Sequence, residues 1–533
     1  MGKKVTIDPI TRLEGHGKIE IFLDDNGNVE RAFLQVPELR GFEKFAEGRP
    51  AEEMPQITSR ICGVCPGAHH MASVKTLDSL FGVEPPPAAR AVREAYYNLH
   101  MLEDHIFHFY FLAAPDFIVG TNADRGVRNI LGLIEKAGVE TGKKVIGIRK
   151  RARDLIGEIG GKAIHPVLGL PGGVAKKMSE EFRERLRSFA SDAVKFSRFS
   201  LTLFHGSVLE DKPLRELILS DVYYNKTYYM GMVDSGGKVN FYDGDIRVVS
   251  PEGEELITFS PADYASVIGE HVEPWSYIKF PFLKKIGWKG FKDGKESGIY
   301  RVAPIARLNV ADGMATPLAQ EEYERMYDTL GGKPAHHTLA IHWARLIEIL
   351  YSAERLVELA EAPELTAPEI RNMDLKTPCE GVGIVEAPRG TIIHHYTTDE
   401  QGIITGCNLI VASLGNSAAM CISVDRAARK LIKNGEISDG LLNMVEMAFR
   451  AYDPCLGCAT HSLPGKMPLT ITLKGSAGEV KGTISRDLNG EDYCRGLLSG
   501  NRKYKLKSIK QGVSTWPKGP TKKMENTASD RAN

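Results

Sequence analysis

The sequence predicts a mixed α/β protein with a large central helical mass and β-rich peripheral parts. Three observations carry that expectation: four long segments with apolar residues at three- and four-residue spacing, an early run of strand formers around Asn26-Gly27, and two later stretches rich in strand formers, glycine and aromatic residues. The helical segments lie at about 88–114, 177–211, 338–361 and 416–450. The third of these, TLAIHWARLIEILYSAERLVELAE, is made of good helix formers with no internal glycine or proline.

At the N-terminus, GKIEIFLDDNGNVERAFLQV over 17–36 flanks Asn26-Gly27, a strong hairpin signal, with two runs of strand formers. Residues 233–300 read as strands and loops, and 381–412 as further strands. After Pro464, PLTITLKG and EVKGTISRD form a second expected hairpin, and the last thirty or so residues are polar, lysine-rich and expected not to fold. There is no internal repeat and no phosphate loop of the Walker type. Gly381-Val382-Gly383 lacks the third glycine of a dinucleotide fingerprint.

Lys+Arg and Asp+Glu both number 68, and this balance argues against a nucleic-acid partner or an electrostatic membrane footprint. The N-terminus lacks the apolar run of roughly 7–15 residues of a secretory signal, and no run approaches the ~20 residues of a spanning helix. A cytoplasmic protein is therefore expected.

Four of the eight cysteines stand alone, at 379, 407, 421 and 494, and read as ordinary small residues. The other four form two Cys-x-x-Cys pairs, in RICGVCPGAHH and DPCLGCATHS, roughly 390 residues apart. Each pair presents two thiolates to one ion, and two pairs make a four-sulfur site for a soft or borderline metal. On spacing alone a structural zinc site is an equally good reading. Zinc ribbons, however, bring their pairs together within a few tens of residues, where the metal replaces a missing core; a chain of 533 residues needs no such staple. A dithiol redox pair fits poorly, because neither motif opens a βαβ pattern.

The flanks narrow this choice. RxCGxC followed by a histidine, and DPCxxCxxH near the end, resemble the paired motifs of nickel-iron hydrogenase large subunits. The resemblance runs from IDPITRLEGHGKIEI through RGFEKF, DHIFHFYFLAAPD, VEAPRG and CNLIVAS to His461. Within the family, GRPAEEMPQITSRICGVCPGAHH is most similar to the cytosolic methyl-viologen-reducing branch associated with heterodisulfide reductase.

The resemblance implies a large-subunit-like fold and a nickel-iron centre with carbon monoxide and cyanide on iron. Cys62 and Cys455 would be terminal nickel ligands, and Cys65 and Cys458 would bridge the two metals. It assigns Glu14 as a proton gate, which taken alone would read as a solvated surface charge. Arg389 would stand over the open metal position, with Pro388, Asp116 and Asp453 around it; taken alone it would read as a structural buried arginine. Ser413 and Arg389 would hydrogen-bond the diatomic ligands, and His69 would approach a bridging sulfur, whereas His70 carries no family role. Glu43, the backbone of Leu409 and His461 would hold magnesium or iron.

No second cluster motif follows, so electrons must leave through a partner. The resemblance implies an iron-sulfur small subunit, heterodisulfide reductase and a further electron-transfer subunit. It also implies an endopeptidase that cuts after His461, dividing the chain into a catalytic domain over 1–461 and an extension over 462–533 that is removed on maturation. That extension is longer than expected and favours a turnover enzyme over a hydrogen sensor. A relative of the quinone-site subunit of respiratory complex I is disfavoured because both cysteine pairs are retained.

Overall fold

The computed structural model describes residues 3–461 and, beyond them, the strands Leu469–Lys474, Val480–Arg486, Asp492–Arg495 and Tyr504–Lys505. The chain forms two units, Met1–Ser462 and Leu463–Asn533. In the second, Leu469–Lys474 and Val480–Arg486 pair antiparallel, as the alternation after Pro464 predicts. Apart from Tyr504–Lys505, the polar end of the chain, expected not to fold, lies outside the described residues.

In the first unit the mixed architecture is as expected. The N-terminal hairpin pairs Lys18–Leu23 with Val29–Gln35, and Lys4–Ile7 adds a third strand. Ile19, Ile21 and Leu23 face the core, the period-2 pattern of a strand with one wet face. The stretch from 233 to 300 contributes strands to a four-stranded sheet and a separate two-stranded one, and Glu380–Ala387, Gly390–Thr398 and Ile404–Ile410 form an antiparallel sheet of three.

Three of the expected helical segments appear as the helices Pro87–Phe107, Glu180–Phe204 and Ile341–Glu361, and the first two continue into π-helical turns at His108–Ala113 and His205–Leu209. The fourth divides into Ser417–Leu431 and Asp439–Arg450, because Asn434 and Gly435 between them take positive φ. Helices Pro66–Leu80, Val139–Gly160 and Pro317–Leu330 were not among the expected segments. Pro66–Leu80 has a weak periodic signal because it is buried almost all round by small residues such as Gly67, Ala68 and Ala72. It lies against the Glu380–Ala387 strand so closely that a Cβ on Gly381 would come 2.5 Å from Thr76 O, and one on Gly383 2.4 Å from Ala72 O. The Gly381-Val382-Gly383 pair thus serves helix-on-strand approach.

Ile341–Glu361 is the central helix, buried on every side from Ile341 to Glu354 and packed against Glu180–Phe204 and Pro87–Phe107. Its polar residues His342, Arg345 and Glu348 recur at three-residue spacing, so they share one stripe, and all three are buried. Against the burial that would raise it, Arg307 and then His105 hold the Glu348 carboxyl down to about 2. A carboxylate depressed from 4.5 contributes stability that is complete above pH 4.5 and is lost as pH falls toward 2, about 3 kcal/mol in all. Denaturant unfolding between pH 2 and 5 is expected to show that loss in the native chain. Glu348→Gln is expected to be weaker at pH 7 and flatter over the same range, and an equally steep profile would count against the assignment.

Candidate metal centre

The two ends of the first unit meet at the cysteines. The loop before helix Pro66–Leu80 supplies Cys62 and Cys65; the turn after helix Asp439–Arg450 supplies Cys455 and Cys458. The segment at Glu14 runs parallel to Cys455, and Leu456 N–H donates to Glu14 O at 2.9 Å. Backbone pairing therefore places the N-terminal Glu14 beside the C-terminal motif, a contact no local pattern encodes.

All four sulfurs lie within 4.8 Å of one another and are buried. Cys62 Sγ is 3.3 Å from Cys455 Sγ, Cys65 Sγ is 3.4 Å from Cys458 Sγ, and Cys455 Sγ is 2.7 Å from Cys458 Sγ. Burial pushes the Cys455 and Cys458 thiols well above the usual range, whereas hydrogen bonds from Cys455 and Cys458 draw Cys62 well below it. Four thiols this close and this dry ionise together only when a cation offsets their charge, and sulfur donors in this number fit a soft or borderline metal. The donor set therefore fits the nickel-iron group implied by the sequence.

Glu14 is half-buried. Cys455 Sγ donates to its Oε2 at 2.9 Å and Gly457 N–H at 3.0 Å. Burial, and then the Cys62 charge, raise its carboxyl. His69 Nε2 lies 3.4 Å from Cys458 Sγ, and its Nδ1 lies 3.3 Å from His394 Nε2. Burial lowers His69 to about 4, so the ring is neutral near pH 7. His70 is turned away and accepts from Gly169 N–H at 2.9 Å. Ser413 Oγ accepts from Cys455 N–H at 2.9 Å, which leaves the hydroxyl proton to donate elsewhere.

Arg389 occupies the tip of a two-residue hairpin, after Pro388 and before Gly390. Gly390 has φ +130°, and a Cβ there would come 2.2 Å from Val302 O, so this turn requires glycine. The guanidinium reaches Asp104 Oδ2 at 3.1 Å and Asp453 Oδ2 at 3.0 Å. Asp104 takes the place expected for Asp116. Asp116 instead meets Arg12 at 2.6 Å, Arg450 at 2.7 Å and Asn443 at 3.1 Å. The two aspartates stand at opposite ends of DHIFHFYFLAAPD, separated by about 18 Å along an ideal helix, so only one can meet Arg389. The burial of Asp453, opposed by Arg389, raises its carboxyl to about 7.

Glu43 and Leu409 are joined by a hydrogen bond from Leu409 N–H to Glu43 Oε1 at 2.8 Å, and Lys279 Nζ lies 3.1 Å from the same oxygen. The buried His461 ring lies edge-on to Phe42, the neighbour of Glu43, and neither of its nitrogens has a partner among the described residues. A buried imidazole without a partner leaves a donor nitrogen that fits a cation.

The family described as nickel-dependent hydrogenase matches residues 40–129 and 289–461, and the HoxL-like family matches 4–39. An iron-sulfur subunit of the F420-non-reducing hydrogenase of Archaeoglobus profundus is 49% identical over 483 residues, which cover 90% of this chain and 99% of that one. The chain belongs to the nickel-dependent hydrogenase family. The equivalent subunit of the F420-non-reducing hydrogenase of Methanothermobacter marburgensis is 42% identical over 484 residues, again covering 90% and 99%. These relatives bear out the branch of hydrogenases to which the sequence points. The crystal structure of an NAD+-reducing [NiFe]-hydrogenase in its H2-reduced state superposes on this hydrogenase with TM-score 0.81 at 39% identity, covering 86% of this chain and 99% of that one. No helix among the described residues is long and apolar enough to cross a membrane.

Sequence reasoning missed Asp104 and the inward polar residues His394, Arg307 and Glu386. Asp104 and Glu386 lie inside motifs already singled out, and Arg307 is the single charge in a fully buried helix, Pro304–Val310.

Proposed function

We propose that this chain is the catalytic large subunit of a nickel-iron hydrogenase that cleaves dihydrogen reversibly and heterolytically. The observation that carries the reading is the cage of four buried sulfurs with the Glu14 carboxyl on Cys455. The four cysteines would hold the nickel-iron group, Cys62 and Cys455 serving nickel alone and Cys65 and Cys458 serving both metals, with carbon monoxide and cyanide on the iron. When bound, that centre supplies the Lewis acidity and redox chemistry needed to polarise dihydrogen and accept its electrons.

The chain's own residues handle the proton and the surroundings. Glu14 takes the proton from the Cys455 sulfur and passes it toward solvent; its contact with that sulfur and its half-buried position support the role. Arg389, held by Asp104 and Asp453 and following Pro388, would offer a fixed positive charge to the open position of the bound group. Ser413 accepts from Cys455 N–H, and its hydroxyl proton would serve the diatomic ligands of the bound group; His69, against the Cys458 sulfur, would tune it. Glu43, the backbone of Leu409 and His461 would hold a magnesium or iron ion near the end of the catalytic unit.

Electrons leave through an iron-sulfur small subunit; the relatives' names as hydrogenase subunits support a multi-subunit complex. Heterodisulfide reductase and a further electron-transfer subunit complete the cytoplasmic assembly. An endopeptidase cuts between His461 and Ser462, separating a 1–461 catalytic domain from the 462–533 extension.

Infrared spectroscopy of the anaerobically purified complex, made in a host with the maturation machinery, is expected to show carbon monoxide and cyanide stretches, which no zinc protein produces. Their absence from protein already trimmed at His461 would end this reading in favour of zinc. Intact mass is expected to place the C-terminus of the active chain at His461; an active chain ending at Asn533 would refute the processing step.

A further inference from the structure

A hairpin tip is an unpromising place for a side chain that must be held still. Arg389 occupies one, its anchors toward the site among the described residues being Asp104 and Asp453. The three consecutive carbonyls at that tip are nevertheless all held from behind by buried side chains. Arg307, fully buried on helix Pro304–Val310, donates to Ala387 O at 2.8 Å and Pro388 O at 3.3 Å, and Asn416 Nδ2 donates to Arg389 O at 2.8 Å.

The remaining donors of Arg307 are also committed. Nε and Nη2 form a two-pronged pair with Glu348 at 2.7 and 2.6 Å, and Nη1 reaches Glu386 at 2.9 Å. A guanidinium has five N–H donors in a rigid planar fork, so this set of bonds leaves it a single orientation. Glu348 in turn accepts from His105 Nε2 at 2.8 Å. His105 is the residue after Asp104, on helix Pro87–Phe107. The contacts therefore close a ring from Arg389 to Asp104, along the backbone to His105, through Glu348 and Arg307 to Pro388 O, and along the backbone to Arg389.

We propose that Arg307, with Glu348 and His105, is the positioning device of this hydrogenase that fixes Arg389 against Asp104 over the sulfur cage. The proposal rests on the reading that Arg389 serves the metal centre. A lysine at 307 would keep the charge but lose the fork, freeing the hairpin tip and with it the Arg389 side chain, while changing neither Arg389 itself nor any of the four cysteines. Misplacement by about 1 Å of a group near the reacting atoms costs about 10²-fold in rate.

The test compares Arg307→Lys, Arg389→Lys, the double variant, His105→Gln and His105→Leu, each purified as the mature complex. Nickel and iron per chain, infrared stretches, and kcat and KM for dihydrogen oxidation are measured for each. The expected Arg307→Lys complex is fully loaded with metal, shows displaced carbon monoxide and cyanide bands, and loses about 10²-fold in kcat with KM unchanged. In the double variant the rate is no lower than in Arg389→Lys alone, because a lost anchor no longer matters once the anchored group has been changed. His105→Gln, whose amide still donates to Glu348, keeps most of the rate that His105→Leu loses.

A loaded Arg307→Lys complex at the native rate overturns the proposal, as does a double variant whose losses multiply. An unchanged rate in Arg389→Lys sinks instead the reading of Arg389 itself. Should Arg307→Lys fail to load metal, the His105 pair decides: a loaded His105→Leu complex at full rate overturns the ring.

Discussion

A Cys458→Ser complex is expected to be empty of both metals, with no carbon monoxide or cyanide stretches and dihydrogen oxidation reduced by more than about 10²-fold. Structural zinc sites with four ligands bind their metal with about 10–16 kcal/mol; by that scale one sulfur in four is worth about 3 kcal/mol, or about 10² in affinity, before its service to both metals is counted. Serine has nearly the same shape but offers a hard hydroxyl that does not ionise near neutral pH. The loss therefore reports donor chemistry rather than packing. Cys379→Ser, at an exposed position, is the control and should retain metals and rate. Native metal content in Cys458→Ser, measured by elemental analysis, would remove Cys458 from the site.

Glu14→Gln should give the second large effect by a different route. The amide preserves the size of the side chain and an oxygen for the Gly457 N–H, but it cannot take up and release the proton that Cys455 presents at 2.9 Å. Loss of a general acid–base group costs about 10²–10⁴ in rate. The complex is expected to keep its nickel, its iron and its infrared bands while dihydrogen oxidation falls into that range. Native turnover in the loaded variant would send the proton by another path. Loss of the bands would show instead that Glu14 is needed to assemble the centre.

These two variants also mark how far the sequence could be read. The cysteine pairs are legible because a metal site imposes short, rigid spacing on residue types that are otherwise scattered. The strand alternation of 17–36 and the periodicity of 338–361 are legible because burial of one face imposes its period on the chain. Helix Pro66–Leu80 was not, since a helix buried all round loses its polar stripe and with it the period. The expectation of Asp116 beside Arg389 failed for another reason. Both lie in one motif, and only the direction in which the Pro87–Phe107 helix carries Asp104 toward the hairpin tip selects between them.

The amino-acid sequence by itself determined the class of fold, the donor chemistry of the four cysteines and the family resemblance, all of which are written in residue type and local spacing. Only the tertiary structure decided which carboxylate faces Arg389, that Glu14 lies on Cys455, and that Arg307 closes a ring behind the hairpin. Those contacts join residues tens to hundreds of positions apart. Nothing local in the chain records such a pairing, because it exists only once burial has forced each polar group to find a partner in the same dry interior.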